Sequence, residues 1–178
     1  MAENIADTLK AEGLRLFNEG LLEEAARRFS EAQEHFAEQG REAEAAEMLN
    51  NIGVIHRKQG HWDEALQALE EARRTFVRLQ DRSREAQTLG NMASIYASLK
   101  KLEEALDAWR RAAEIFSELN DRQRQGETLM ALGVTLFKSG QRQAGLGAYQ
   151  AGLDLLERPT FSQRLTRLLL AMQARLLG

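Results

Sequence analysis

The chain has 178 residues, no cysteine and a formal net charge of -3 at pH 7. The lack of cysteine excludes disulfides and thiolate metal sites, and the small negative charge gives no general attraction to nucleic acid. Hydrophobic residues make up 43% of the chain and charged residues 29%, and no apolar run approaches the roughly 18 residues that a membrane span needs. The N-terminus carries Glu3 and Asp7 in place of an apolar block, so we do not expect it to be a secretory signal. Together, these observations lead us to expect a cytoplasmic protein that binds neither membrane nor nucleic acid.

Small residues recur along the chain at one constant interval, at Gly13, Gly53, Ala93 and Gly133. A bulky column keeps the same interval, at Phe29, Leu69, Trp109 and Tyr149. A constant period of about 40 residues is the sequence signature of a stacked repeat protein. The single proline, Pro159, favours helices over sheet, because helix interiors exclude proline. The pairing of small and bulky columns predicts helices that cross closely, with the bulky side chains filling the space beside them.

The period predicts a single domain of four repeats, at about 1–40, 41–80, 81–120 and 121–158, each made of two amphipathic helices. In the second repeat these helices run from about Arg41 to Gln59 and from about Trp62 to Leu79, and Gly60 ends the first as a left-handed cap. Three glycines fall in the last of the eight helices, at 145, 147 and 152. Each costs about 1 kcal/mol relative to alanine, so this helix is expected to be the weakest.

After Pro159, the segment Thr160 to Gln163 forms a capping box and predicts one more helix over about 160–177. Such a helix covers the stacking surface that the last repeat would otherwise expose. Its apolar surface is larger than a polar-backed cap requires, since Leu170 and Leu177 lie off the main face. The helix is therefore either a cap with surplus leucine or a surface that packs on a second copy of the chain or in a partner's groove.

The column residues resemble the core pattern of tetratricopeptide repeats (TPRs). The pattern of a small residue, a turn glycine, an alanine, an aromatic and an alanine appears as Gly13-Gly20-Ala25-Phe29-Ala32, and it recurs in the later repeats. The repeat unit is longer than the usual one of about 34 residues, and in this it is similar to those of kinesin light chains and spindle-orientation TPR adaptors. The resemblance implies an all-α, right-handed α-solenoid of four helix pairs plus a capping helix, which binds a protein or peptide segment in its concave groove.

Binding residues are expected on the stripe of each repeat's first helix that faces this groove. The candidates are Lys10, Leu14, Phe17, Asn50, Asn51, Val54, Arg57, Gln87, Asn91, Ser94, Met130, Val134 and Phe137. Asn51 and Asn91 lie one period apart in mid-helix, where asparagine costs roughly 0.6 kcal/mol relative to alanine. Because an amide both donates and accepts, the pair could hold a partner's backbone, as the resembled adaptors do. The alternative is that both amides tie one repeat to the next.

The carboxylate clamp of chaperone-binding TPR domains is a weaker match. Lys10 and Asn51 agree with two of its five positions, whereas Leu14, Gln87 and Asn91 do not. Without the cations expected in the third repeat, the pocket would lack the charge-assisted bonds that make it selective.

No catalytic or metal-binding pattern is present. His56 and His61 would point about 140° apart on a continuous helix, and the Gly60 turn stands between them. The sequence therefore predicts a non-enzymatic adaptor without cofactor or metal. The main alternative is a self-assembling structural module that forms a homodimer through its C-terminal helix.

Overall fold

A computed structural model describes residues 5–156, Thr160 and Gln163. All regular structure in this part of the chain is helical, which confirms the predicted all-α fold. The helices are α1 (Ile5–Asn18), α2 (Leu22–Glu38), α3 (Glu42–Gln59), α4 (Trp62–Arg78), α5 (Arg82–Ser98), α6 (Leu102–Glu118), α7 (Arg122–Lys138) and α8 (Arg142–Leu155). The bounds of α3 and α4 agree with the predicted ones to within one residue.

Each helix from α1 to α7 is followed by a residue with positive φ, and these residues stand 20 apart: Gly20, Gly40, Gly60, Gln80, Lys100, Asn120 and Gly140. The next backbone N–H donates to the carbonyl five residues earlier, as His61 does to His56 at 2.9 Å. This geometry is the Schellman motif, which satisfies carbonyls at the end of a helix. The left-handed cap predicted at Gly60 is confirmed, with φ 80°.

The chain divides into two compact units, residues 1–95 and 96–178. Unit 1 contains α1 to α4 and α5 as far as Ile95, and within it α1 packs on α2, α2 on α3 and α3 on α4. Its main apolar cluster is formed by Ala6, Leu16, Ala25, Phe29, Ala32, Phe36, Ala45, Met48 and Ile55. The alternation of small and aromatic residues in this set lets neighbouring helices interdigitate.

The glycine column of unit 1 packs against the bulky column. A Cβ atom added to Gly13 would lie 2.7 Å from Cε1 of Phe29, and one added to Gly53 would lie 2.7 Å from Cγ of Leu69. Both distances are far inside van der Waals contact, so a larger residue at either glycine would push the helix pair apart. The predicted close crossing of paired helices is confirmed for these two repeats.

Unit 2 contains the end of α5 and α6 to α8, with α6 packed on α7 and α7 on α8. Glycines bring the last two helices together, because a Cβ on Gly133 would lie 2.7 Å from the carbonyl oxygen of Gly145, and the reverse distance is also 2.7 Å. Gly126 and Gly152 form a second such pair, whereas Gly147 has nothing within 4 Å. Two of the three α8 glycines thus have a packing role that the sequence did not suggest. The expected weakness of α8 stays a prediction.

Beyond Leu156, the structure describes only Thr160 and Gln163. The backbone N–H of Thr160 donates to Gln163 Oε1 at 2.7 Å, and the N–H of Gln163 donates to Thr160 Oγ1 at 3.3 Å. These reciprocal bonds are those of the predicted capping box. The rest of the predicted capping helix lies outside the described residues. Among the helices that the structure describes, none is long and apolar enough to cross a membrane.

Candidate functional site

The predicted binding residues lie on four helices. In unit 1, α1 carries Lys10, Leu14 and Phe17, α3 carries Asn50, Asn51, Val54 and Arg57, and α5 carries Gln87, Asn91 and Ser94. In unit 2, α7 carries Met130, Val134 and Phe137. Six of the ten unit 1 residues line two adjoining pockets, which are described first: Leu14, Phe17, Asn50, Asn51, Val54 and Gln87.

The first pocket, here called the α1/α3 pocket, is apolar and has a volume of about 110 Å³. Its lining residues are Leu14, Phe17, Phe29, Asn51 and Val54. Leu14 is 41% exposed, while Phe29 is buried at the base. Phe29 reaches this position because Gly13 leaves room for its ring. The pocket therefore offers apolar surface to an external group.

The second pocket, here called the α3/α5 pocket, is polar and has a volume of about 170 Å³. It is lined by Glu47, Asn50, Asn51, Phe76, Arg84, Gln87 and Thr88. Asn51 belongs to both pockets and is the residue that separates them. A segment crossing α3 at Asn51 would have an apolar pocket on one side and a polar pocket on the other.

The two mid-helix asparagines, Asn51 and Asn91, have different surroundings. Asn91 Nδ2 donates to Asn50 Oδ1 at 3.1 Å, and the same oxygen accepts from Thr88 Oγ1 at 3.2 Å. Asn91 thus ties α5 to α3. The side-chain amide of Asn51, by contrast, makes no hydrogen bond to any described residue. The free-energy cost of placing asparagine in the middle of a helix is therefore not offset, at Asn51, by a side-chain hydrogen bond within the described residues.

Ion pairs join α1, α3 and α5 along the edge of the polar pocket. Lys10 Nζ lies 2.7 Å from Glu47 Oε1, and Arg84 Nη2 lies 3.1 Å from Glu47 Oε2. Arg84 also binds Asp81 at 2.7 Å. Burial raises the pKa of Asp81, but the backbone N–H and the guanidinium of Arg84 lower it by more, so that it lies below its usual value. Lys10, a candidate partner-binding residue, is therefore already engaged by the chain's own carboxylate.

Two cationic side chains, the predicted Arg57 and its neighbour Lys58, lie near the C-terminal end of α3. Arg57 has no carboxylate partner among the described residues, and its Nε is buried without a hydrogen bond. Lys58 Nζ stands 5.2 Å from the centroid of the Phe17 ring, which lines the α1/α3 pocket. This distance is within the range of a cation–π contact.

On α7 in unit 2, Val134 is 45% exposed and Phe137 is 53% exposed, and Met130 is partly buried. The three are spaced by four and three residues, so they share one face of the helix. Val134 and Phe137 occupy the positions of Leu14 and Phe17 three periods later. Unit 2 therefore presents an apolar stripe of its own.

The remaining predicted residues have small roles in unit 1. Ser94 Oγ donates to the backbone oxygen of Gly90 at 3.0 Å, while Gln87 is exposed beside the polar pocket.

The rings of His56 and His61 come to 5.9 Å between centroids, because the turn at Gly60 folds His61 back over the helix end. The described residues contain no group of three side chains suited to hold a metal ion.

Sequence reasoning missed the Lys10–Glu47–Arg84 chain of ion pairs. Both steps of that chain span 37 residues, three fewer than the repeat. Three residues is close to one helical turn, so side chains on the facing sides of neighbouring repeats meet at this offset. A search for opposite charges 37 apart would have found the network.

Paired helices in which a small residue of one helix stands in the column that faces a bulky residue of the other, repeated at the constant period of the sequence, define a TPR-type helical repeat protein. The fold is similar to BtubC (BKLC) from P. vanneervenii, with a TM-score of 0.77 and 22% identity over 84% of this chain and 62% of that one. It is also similar to aspartyl phosphate phosphatase F from Bacillus subtilis, with a TM-score of 0.82 and 13% identity over 87% of this chain and 41% of that one. The apo form of RapI gives a TM-score of 0.78 and 15% identity over 86% and 44%.

The sequence matches the model of the soluble NSF attachment protein (SNAP) family over residues 3–155, and the chain belongs to that family. No curated protein matches the sequence. The chain spans from 41% to 62% of the length of the three solved structures. Family and fold are those of helical-repeat adaptors, so the general class of function is protein–protein interaction.

Proposed function

We propose that this chain is a non-enzymatic adaptor that binds an extended or irregular segment of another protein along the stripe formed by α1, α3 and α5. In this proposal the segment places an apolar side chain in the α1/α3 pocket and its backbone over Asn51. The observation that carries the proposal is the free amide of Asn51, which separates an apolar pocket from a polar one.

The size of the α1/α3 pocket supports a peptide over a small molecule. Sites for small ligands usually measure about 300–1,000 Å³, whereas this pocket holds about 110 Å³. A volume of that order suits one anchoring side chain. Its walls, mainly Leu14, Phe17 and Val54, suit an aliphatic or aromatic anchor.

Asn51 suits the backbone of the same segment. Its amide offers two N–H donors and a carbonyl acceptor, which match the C=O and N–H of one peptide unit. Such a contact reads no side chain, so sequence preference would come from the flanking pockets. On the α3/α5 side the exposed amide of Gln87 provides a second neutral polar contact.

The proposed role as an adaptor determines the remaining assignments. We assign no catalytic residue, cofactor or metal to the chain and place it in the cytoplasm. The binding role predicted for Met130, Val134 and Phe137 on α7 of unit 2 is retained as a proposal, and so is the homodimer through the C-terminal segment. Light scattering of the chain at micromolar concentration, with and without peptide, tests the homodimer.

The test of function begins with a random peptide library displayed on phage and selected on the whole chain. The most enriched sequence is synthesised with a fluorescent label, and its affinity is measured by polarisation. Val54→Asp places a charge in the α1/α3 pocket and should weaken binding by more than about tenfold, since an unpaired charge in an apolar site costs several kcal/mol.

The matched control is Val77→Asp, at a valine of α4 that is 46% exposed and lies outside both pockets. It should leave the affinity unchanged. The proposal fails if no peptide is enriched, or if the enriched peptide binds Val54→Asp as tightly as the wild type.

A further inference from the structure

Three side-chain amides line the α3/α5 pocket, those of Asn50, Asn51 and Gln87. Asn50 and Asn51 lie on α3, and Gln87 lies on α5. Gln87 follows Asn50 at the same offset of 37 residues that brings Arg84 to Glu47, so the two amides come from facing sides of the two helices. A peptide backbone over Asn51 leaves the amides of Asn50 and Gln87 for another group of the partner.

The amide of Asn50 is held in one orientation by α5. Its Oδ1 accepts from Asn91 Nδ2 at 3.1 Å and from Thr88 Oγ1 at 3.2 Å. Its Nδ2 donates to no group in the described part of the chain. Asn50 is half-buried, but this nitrogen is not enclosed, so an incoming acceptor can reach it. Asn50 therefore presents N–H donors of fixed direction to the pocket.

The amide of Gln87 complements this donor. Gln87 is exposed, and its side chain makes no hydrogen bond to any residue that the structure describes. Its carbonyl oxygen can accept, and its nitrogen can donate. Together with Asn50, it suits a partner group that accepts and donates at once.

The charged side chains at the pocket are already paired. Glu47 Oε2 lies 3.1 Å from Arg84 Nη2, and Glu47 Oε1 lies 2.7 Å from Lys10 Nζ. Arg84 Nη1 lies 2.7 Å from Asp81 Oδ2. A partner's carboxylate would find both cations engaged, and a partner's ammonium would find both carboxylates engaged. Because either charge would lose hydration without gaining a free counter-ion, the pocket disfavours charged side chains of both signs.

From these contacts we infer that the α3/α5 pocket selects a neutral carboxamide, the side chain of a glutamine or asparagine in the bound segment. The inference rests on the proposed peptide site and adds the chemistry of a second contact. The carboxamide oxygen accepts from Asn50 Nδ2, and its nitrogen donates to the side-chain oxygen of Gln87. A site built on hydrogen-bonding groups also rejects a side chain of similar size that lacks them, since its own polar groups are then left unpaired.

The positions of the two pockets set the spacing in the partner. They lie on either side of Asn51, one between α1 and α3 and the other between α3 and α5. Side chains two residues apart in an extended segment share a face and stand about 7 Å apart. Axes of packed helices are about 8–10 Å apart. An apolar anchor and a carboxamide with one residue between them therefore suit the two pockets.

The test uses capped synthetic pentapeptides and the whole chain. In one series the anchor comes first, Gly-Leu-Gly-X-Gly, and in the other it comes last, Gly-X-Gly-Leu-Gly, where X is Gln, Glu, Lys or Met. Affinities are measured from the shifts of the Leu14 and Val54 methyl resonances in NMR titrations, and the side-chain amides of Asn50 and Gln87 report contact with X. In one series the Gln peptide should bind at least roughly fivefold tighter than the other three, the scale of one net hydrogen bond.

Asn50→Asp tests the donor without removing the bonds to α5. The new carboxylate still accepts from Asn91 and Thr88, but it replaces the free donor by an oxygen. It should abolish the preference for Gln and make the Lys peptide the tightest of its series. Gln67→Glu, at an exposed position of α4 outside both pockets, brings the same change of charge and should keep the preference. Each variant is first compared with the wild type by its amide NMR spectrum to establish that it is folded.

The outcomes separate the two proposals. If no pentapeptide shifts the methyl resonances of Leu14 or Val54, the peptide site itself is refuted. If the methyl resonances shift but the Gln peptide is preferred in neither series, the peptide site stands and the selection of a carboxamide is overturned. The selection is likewise overturned if Asn50→Asp keeps the preference for Gln.

Discussion

Asn51 and Asn91 provide a pair of matched substitutions with different expected effects on stability. Both asparagines lie in mid-helix one period apart, so replacement by alanine brings the same gain in helix propensity, about 0.6 kcal/mol. Asn91 also loses its bond to Asn50 Oδ1, and a bond of this kind contributes about 1 kcal/mol net. We expect Asn51→Ala to stabilise the protein by about 0.6 kcal/mol and Asn91→Ala to destabilise it by about 0.4 kcal/mol.

The assay is urea unfolding of the wild type and both variants, followed by circular dichroism. The slopes against denaturant should agree, so that a change of midpoint reports a change of stability. A difference of about 1 kcal/mol between the variants corresponds to roughly 2–4 °C in melting temperature for a protein of this size. The same samples are titrated with the library-selected peptide, which should bind Asn51→Ala more weakly than Asn91→Ala.

Two results would refute the reasoning. Equal stability of the two variants would mean that the Asn91–Asn50 bond contributes nothing. A loss of stability in Asn51→Ala larger than in Asn91→Ala would mean that Asn51 has an internal role, and its assignment to a partner would lose its basis.

Three further predictions concern packing and pH. Gly147→Ala should raise the free energy of unfolding by about 0.5–1 kcal/mol, since Gly147 faces open space. Gly145→Ala should lower it by about 1–3 kcal/mol, because the added methyl group overpacks the contact with α7. Urea unfolding of both variants tests these contacts, and equal changes in the two variants would contradict them. Trp109→Ala removes a side chain packed on the unit 2 cluster and should lower stability by about 3–5 kcal/mol without changing peptide affinity; a loss of affinity in folded protein would contradict this. Because the pKa of Asp81 is lower in the folded chain than its reference value of 3.8, its contribution to stability is full above that value and is lost as the pH falls through the lower folded pKa. The melting temperature of Asp81→Asn should therefore fall less than that of the wild type on acidification below about pH 4, and an unchanged acid profile would show that the contact with Arg84 is not responsible.

The repeat architecture was predictable from the sequence because it depends on residues that must be small or bulky at fixed positions. Gly13 and Gly53 face Phe29 and Leu69 as the columns implied. The left-handed turns were predictable only where glycine marks them. Lys100 adopts the same conformation with φ 60°, since the regular spacing of the turns places a helix end there whatever the side chain.

The roles of individual site residues were less predictable. The spacing of Asn51 and Asn91 suggested one shared role, but the neighbours differ: Asn91 meets Asn50 on the adjacent helix, whereas Asn51 lies between two pockets. Such differences depend on contacts between helices that are one repeat apart in the chain. Glu47 shows the same limit, because its two cations are identified only when three helices are considered together.

The most direct test of the account is the set of intermolecular NOEs between the library-selected peptide and the methyl groups of the protein. The account predicts NOEs from the peptide's apolar anchor to Leu14 and Val54, with a shift of the Asn51 side-chain amide on binding. The account would be contradicted if the anchor gave NOEs only to residues outside the α1/α3 pocket, such as Val77, and if the Asn51 side-chain amide did not shift.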